Sequence, residues 1–296
     1  MRRAAAIDIG GTTTKIGVVS QDGGVLTRGR VHTSDHGDPL PLVDGIVAAL
    51  QPMIAEHAVV GIGVSVAGFL DRARGAMVGN VNLPELCDFP LRHALEQRLS
   101  LPCLLEVDSN ASTVAEYRHG AGRGAGRLLG ITVGTGLGGG VLLDGRLLRH
   151  TGQCAGDLGH VILSPKGRRC SCGANGCLEA MVCSAALSHR AGGRRVRDIL
   201  SDARAGERRS LDALAETGWW LGLGLASLSP LFAPDRIVIG GGVAAAGEFL
   251  LDPVRTSYLV HASDEFRERV EIVGSAFEGW EGMIGAGSLF LEPLAD

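Results

Sequence analysis

A short strand, a glycine turn and a second strand open this chain, and the same unit returns near its middle. Residues 4–9 and 15–20 are β-rich runs on either side of Gly10-Gly11, and residues 127–133 and 141–143 flank the glycine-rich stretch 134–140. Each opening gives way to β-branched runs alternating with apolar periodicity of the helical kind. The first is followed by strands at 25–31, 59–64 and 103–107 and helices at 41–57, 91–99 and 111–119. The second is followed by helices at 211–228, 244–259 and 281–290 and strands at 236–239 and 270–273. Such alternation is the signature of an α/β fold. At 296 residues there is material for one large or two modest cores, and the recurrence implies two halves of related topology that share too little sequence to count as a repeat.

Charge and composition remove several functions. The net charge of −4 provides no basic field for a phosphate backbone, so nucleic acid is not an expected partner. With 45% apolar residues and 20% charged, the chain can fill a core. The apolar run at the amino terminus is cut by Asp8, which argues against a secretory segment, and residues 219–233 carry Gly222, Gly224 and Pro230. That stretch is too short to cross a bilayer and reads as a buried core helix. Residues 191–210, rich in Arg and Gly, read as exposed and partly helical, and Trp219-Trp220 and residues 194–197 as core packing and a solvated face. Of seven cysteines, Cys87, Cys103, Cys154 and Cys183 stand alone, which fits a reducing, cytoplasmic setting.

Glycine supplies 45 residues, about twice average usage, and it gathers at strand ends. The first turn, Asp8-Ile9-Gly10-Gly11-Thr12-Thr13-Thr14-Lys15, offers backbone N–H groups, threonine hydroxyls and an ammonium to an anion, though an ordinary hairpin uses the same glycines. It lacks the Gly-Lys-Ser/Thr ending of a P-loop. The second turn, Thr132-Val133-Gly134-Thr135-Gly136-Leu137-Gly138-Gly139-Gly140, formally matches the dinucleotide fingerprint, with Asp157 near the acidic offset. A strand rather than a helix follows it, so a phosphate clasp between two strands fits better. The third, Gly240-Gly241-Gly242, lies between a strand and a helix and suits a flat ring or a ribose. Asp108 stands at the carboxyl end of a strand, where open α/β sheets place their ligands.

His160, Cys170, Cys172 and Cys177 lie within eighteen residues. One imidazole and three thiolates make a closed tetrahedral donor set for structural zinc, with Gly167, Gly173 and Gly176 letting the loop fold; reduced loop thiols are the alternative. Glu179, flanked by apolar residues, reads as more than a solvated charge.

Taken together these residues resemble the ROK family of sugar kinases, bacterial glucokinases in particular, within the actin-like and hexokinase-like ATPase fold. The likeness spans nearly the whole chain: residues 8–15 resemble the first phosphate motif, 61–68 and 80–84 the sugar-domain segment, Glu106-Val107-Asp108-Ser109-Asn110 the catalytic segment and 134–140 the second phosphate motif. Its most specific part is Gly156-Asp157-Leu158-Gly159-His160 leading to residues 170–179, and 240–243 resemble the adenosine end.

The resemblance implies two α/β domains around a cleft, residues 1–110 with 283–296 and residues 111–282, the second carrying the zinc loop. It implies Asp108 as general base, and Gly68, Asn82, Asp108, Asp157, His160 and Glu179 around the sugar. ATP would meet Asp8, Gly10, Gly11, Thr12, Thr13, Lys15, Thr132, Gly134, Thr135, Gly136, Gly240, Gly241 and Gly242, with Asp8 helping to hold Mg2+. Zn2+ would be held by His160, Cys170, Cys172 and Cys177, and the protein would be a cytoplasmic homodimer or homotetramer.

Two positions depart from the family pattern. Val107 stands where Asn usually precedes the catalytic Asp, and Asp157 where Glu is usual. An unsatisfied sugar hydroxyl costs about 1–3 kcal/mol. The expected substrate is therefore glucose or a modified hexose such as kanosamine, another amino sugar, or a C7 cyclitol. A sugar-responsive regulator of the same family is the alternative, although such repressors carry a DNA-binding module ahead of the first motif and only seven residues precede Asp8 here.

Overall fold

In the computed structural model, which describes residues 1–33, 37–79, 83–149 and 157–294, contacts divide the chain into two units. Unit 1 is Met1–Arg123 with Gly145–Ala155 and Trp280–Asp296; unit 2 is Gly124–Asp144 with Gly156–Gly279.

Unit 1 begins with β1 (Arg3–Ile9), β2 (Thr13–Ser20) and β3 (Val25–His32), then α1 (Pro39–His57), β4 (Ile62–Val66), β5 (Phe69–Asp71), β6 (Ala76–Gly79), α2 (Leu91–Leu99), β7 (Cys103–Val107) and α3 (Asp108–His119). Its sheet runs β3-β2-β1-β4-β7, with antiparallel pairing from β1 to β3 and parallel pairing across β1, β4 and β7. A parallel strand at the centre of a sheet is covered on both faces, which explains why β1 is apolar without alternation. Helix α1 starts at an Asp38 cap that accepts from Leu40 N at 2.9 Å and buries Leu42, Val43, Ile46 and Leu50, one helical face.

Unit 2 takes up β8 (Arg127–Val133) and β9 (Leu137–Leu143). A turn follows in which Asp144 and Gly145 have φ of 51° and 79°, as the Asp-Gly pair predicts, and leads to β10 (Arg146–Leu147), where the chain counts with unit 1. Then come α4 (Leu178–Val182), α5 (Ser184–Arg190), α6 (Val196–Arg204), α7 (Arg208–Phe232), β11 (Arg236–Gly240), α8 (Glu248–His261), α9 (Asp264–Arg267) and β12 (Glu271–Gly274). Strands β9-β8-β11-β12 repeat the order β2-β1-β4-β7, with the same switch from antiparallel to parallel. The two halves therefore share one topology. The closing helix α10 (Glu281–Leu291) lies in unit 1, against β1, β2, β4, β7 and α3. The domain limit placed at residue 110 falls inside α3, and contacts divide the chain at 123/124 because α3 packs on α10.

Several elements differ from the sequence reading. The helix expected over 244–259 is broken at Gly247, whose φ is 62°, into a 3-10 turn at Ala244–Ala246 and α8. Residues 191–210 are less exposed than expected, since α6 buries Ile199, Leu200 and Ala203 in the unit 2 core. The stretch 219–233 is only partly buried: Trp219 is 42% and Leu231 69% exposed on the outer side of α7. Among the described residues no helix is long and apolar enough to cross a membrane.

Candidate active site

In unit 1 the site grows from the β1–β2 turn. Thr33 closes it, donating from its amide to Thr12 O at 3.1 Å and from its hydroxyl to Gly10 O at 2.8 Å, while its Oγ also meets buried Thr14 Oγ at 2.9 Å. Gly11 and Thr12 are left exposed, so amides and a hydroxyl remain available to an anion. Sheet register puts Ser65, Asp8 and Lys15 side by side on three neighbouring strands. Ser65 Oγ donates to Asp8 Oδ1 at 2.7 Å and Lys15 Nζ to Asp8 Oδ2 at 3.2 Å. The first turn of α10 closes on the same carboxylate: a Cβ at Gly282 would lie 2.6 Å from Asp8 Oδ1, so only glycine lets the helix approach.

Asp108 is the first residue of α3, at the carboxyl end of β7, and is partly exposed. Burial around its carboxyl, then the charge of Asp8, push it up to about 6, against the Ser109 amide, which donates to Asp108 Oδ1 at 2.7 Å, and Lys15. Unit 1 thus joins Asp8, Lys15 and Asp108 in one electrostatic group. Gly68 occupies the bend between β4 and β5 with φ of 111°. Asn82 lies outside the described residues.

In unit 2 the β8–β9 turn is held from behind. Ser184, at the start of α5, donates to Gly134 O from its hydroxyl at 2.7 Å and its amide at 2.8 Å, and Gly134 N donates to Gly136 O at 2.9 Å. Val243 N donates to Val133 O at 3.0 Å, and Gly240 is in register with Thr132, which brings the third glycine turn beside the second. Thr135 is exposed at the tip. Glu179, in the first turn of α4, accepts from Leu137 N at 3.0 Å through Oε2 and from Ser171 Oγ at 2.8 Å through Oε1. A Cβ at Gly136 would sit 2.5 Å from Glu179 Oε2, so the glycine is what lets this carboxylate reach the turn. The acidic residue thereby links the second glycine turn to the cysteine loop.

The cysteine loop brings its four donors together. Ligand atoms of His160, Cys170, Cys172 and Cys177 all lie within 4.8 Å of one another; Cys172 Sγ is 3.7 Å from Cys177 Sγ, and Cys170 Sγ is 3.5 Å from His160 Nδ1. A tetrahedron with zinc bonds of about 2.0–2.3 Å has edges of about 3.3–3.8 Å, so the donor set fits the ion in type and size. Burial, then the neighbouring Cys172 and Cys170 thiols, push the Cys177 thiol up to about 12; a divalent cation would offset the crowding of thiolates. With Nδ1 on the cysteine side, His160 Nε2 faces Asp157 Oδ2 at 3.3 Å. Burial raises the Asp157 carboxyl, His160 opposes that, and the charge of Glu179 adds to it. Asp157, His160 and Glu179 are thus one cluster.

The sequence singled out these residues but missed those that hold them. Thr33 and Ser65 act across strands, 23 and 57 residues from the carbonyl and carboxylate they bind, and Ser184 stands fifty residues from Gly134. A lone Ser or Thr carries no local signal for such work.

The family model described as ROK family matches residues 4–292. The chain is similar to a glucokinase of Streptomyces coelicolor, 32% identical over 312 residues that cover 97% of each protein. It is 30% identical over 288 residues to an N-acetylmannosamine kinase of Escherichia coli, covering 96% of this chain and 97% of that one. Among solved structures, a ROK family glucokinase from Streptomyces griseus in complex with glucose and AMPPNP has a TM-score of 0.87 at 33% identity, over 97% of this chain and 98% of that chain. The fold is the two-domain actin-like ATPase fold, and with nearly the full length matched, the chain belongs to the ROK family.

Proposed function

We propose that this sugar kinase transfers the terminal phosphoryl group of ATP to the exocyclic primary hydroxyl of a hexose or hexose-like polyol, with Asp108 as general base. The observation that carries this is a carboxyl raised to about 6 at a strand end beside Asp8 and Lys15. Such a group is ionised at neutral pH yet basic enough to accept a proton. As the sugar oxygen attacks phosphorus, its O–H bond breaks and the proton passes to Asp108. The bond from phosphorus to the β,γ-bridging oxygen breaks in line and ADP leaves. Lys15, Thr12, Thr13 and the amides of Gly10 and Gly11 offset phosphate charge in unit 1. Thr132, Gly134, Thr135 and Gly136 would do so in unit 2, and Gly240, Gly241 and Gly242 would meet the nucleoside. Both Asp8 oxygens already have protein partners, which favours holding Mg2+ through its water. That ion, when bound, would neutralise charge on the phosphates. Zinc on His160, Cys170, Cys172 and Cys177 would fix the loop next to Glu179.

Gly68, Asn82, Asp157, His160 and Glu179 would line the sugar. Two carboxylates in one cluster, with Asp157 raised by burial and by Glu179, favour a ligand cation. That supports an amino sugar such as kanosamine, ahead of a C7 cyclitol or plain glucose. The oligomeric reading, dimer or tetramer, is supported by exposed Trp219, Leu259 and Val260 on α7 and α8, and the cytoplasm is the setting where ATP is at hand.

Steady-state kinetics on glucose, glucosamine, kanosamine, N-acetylmannosamine and a valiolone-type cyclitol, read by ADP release, test the reading. An amino sugar is expected to give the highest kcat/KM, and glucose far above the rest would overturn that choice. Asp108→Asn is expected to lower kcat by about 10²–10⁴. A silent sugar-binding protein would release no ADP with any sugar.

A further inference from the structure

Two residues before the base stands a carboxylate that the mechanism does not use. Glu106, the penultimate residue of β7, is 0% exposed. A buried carboxyl needs hydrogen-bond donors in place of the water it has lost. Four groups supply them. Glu106 Oε1 accepts from Val107 N at 2.9 Å, from Asn110 Nδ2 at 3.1 Å and from Arg72 Nη2, and Oε2 accepts from Arg149 Nε at 3.1 Å. Arg149 is 9% exposed and its Nη1 donates to Leu294 O at 3.0 Å, so it is anchored at both ends of its fork. Arg72, from the β5–β6 connection, is 37% exposed.

Two of these bonds straddle the base. Val107 N lies before Asp108 and Asn110 Nδ2 after it, and both end on the same Glu106 oxygen. Valine at 107 brings no polar side chain of its own to this junction. The turn from strand to helix is therefore held from its buried side through Glu106. Resting on the reading of Asp108 as base, we propose that Glu106 is a positioning residue. It fixes the β7–α3 junction and hence the direction of the Asp108 carboxyl, and Arg149 is the buried cation that pairs with Glu106 and holds it in place. Proton acceptance from an attacking hydroxyl depends on tenths of an ångström in that direction, so a loosened junction slows the chemical step more than it weakens binding.

The test compares kcat, KM for sugar and ATP, and Tm in wild type, Glu106→Gln, Asn110→Ala, Arg149→Lys, Arg149→Met and Asp108→Asn. Glu106→Gln is expected to lower kcat at least about tenfold with both KM values within about twofold. Asn110→Ala, which cuts one tie and leaves both ion pairs, is expected to lower kcat about three- to tenfold at a Tm within a few degrees of wild type. Arg149→Lys, retaining the charge, should keep several-fold more kcat than Arg149→Met. A salt bridge that serves stability alone would lower Tm and leave kcat per folded molecule unchanged, and that result overturns the proposal. If Glu106→Gln does not fold, full kcat in folded Asn110→Ala overturns it equally. A wild-type protein that phosphorylates no sugar, or Asp108→Asn at full speed, defeats the assignment of the base instead, so the two failures are distinct.

Discussion

A carboxyl whose ordinary value is 3.8 and which folding raises to about 6 leaves a mark on both rate and stability. Only the ionised form of Asp108 accepts a proton, so kcat/KM should fall on the acid side with a midpoint near pH 6, and the limb should vanish from the residual rate of Asp108→Asn. A pH–rate profile with constant ionic strength measures it. The sign for stability is opposite to that of a salt-bridged aspartate. The native state keeps the proton to higher pH than the unfolded chain, so the contribution of Asp108 is full below about pH 4 and is lost as pH rises to about 6. Asp108→Asn should therefore melt a few degrees higher than wild type at pH 7.5, with the gap closing toward pH 4, as thermal denaturation across that range would read. The sequence placed this aspartate at a strand end but could not give its acidity, which arises first from burial and then from a neighbour a hundred residues away in β1. Burial and long-range charge are properties of packing, and local pattern does not carry them.

At the scale of elements, the gathering of His160, Cys170, Cys172 and Cys177 was legible because such donors are few, chemically distinct and close in sequence. The loop's short bonds follow from that spacing: Cys170 N donates to Ala174 O at 2.8 Å and Gly176 N to Arg168 O at 2.8 Å, a knuckle of backbone that gathers the three thiols. Metal analysis is expected to give one zinc per chain. Removal by a strong chelator, or Cys172→Ser, should lower Tm by roughly 5–10 °C and raise the sugar KM while leaving the ATP KM close to unchanged, since Glu179 and His160 lose their frame. An unchanged Tm on verified zinc removal would contradict the structural role. The elements that sequence pattern missed are short or disguised. Strands β5 and β6 have three and four residues, below the length at which alternation can be counted. In α6 the buried face of Ile199, Leu200 and Ala203 is masked by surrounding arginines and aspartates. The break at Gly247 is a single residue within an otherwise helical pattern, a place where local preference allows both outcomes.

Over the whole molecule, recurrence in the sequence revealed two related halves, while the path of the last helix decided where they part. Helix α10 is buried over Glu281–Leu289, and it contributes Met283, Ile284, Leu289 and Leu291 to the interior of unit 1. At about 1.5–3 kcal/mol for each buried apolar side chain, those four are worth about 6–12 kcal/mol, which matches the entire stability of an ordinary domain. Among the described residues, the core of unit 2 includes none from this helix. A chain ending at Gly279 should thus keep slow amide exchange in β8, β11 and β12 and lose it in β1, β4 and β7, whose face α10 covers. Hydrogen exchange resolved by peptide would tell: protection of β1 equal to that of the full chain would mean that unit 1 owes its stability to the α1 face alone. The expected asymmetry has a physical root, since α10 follows the last strand of unit 2 in sequence and completes the core of unit 1 in space. Gly282, which packs against Asp8, and Gly285, which packs against Ala111 in the first turn of α3, arrive only with that final segment, so the surroundings of Asp8 and Asp108 should become fully ordered only once α10 has docked.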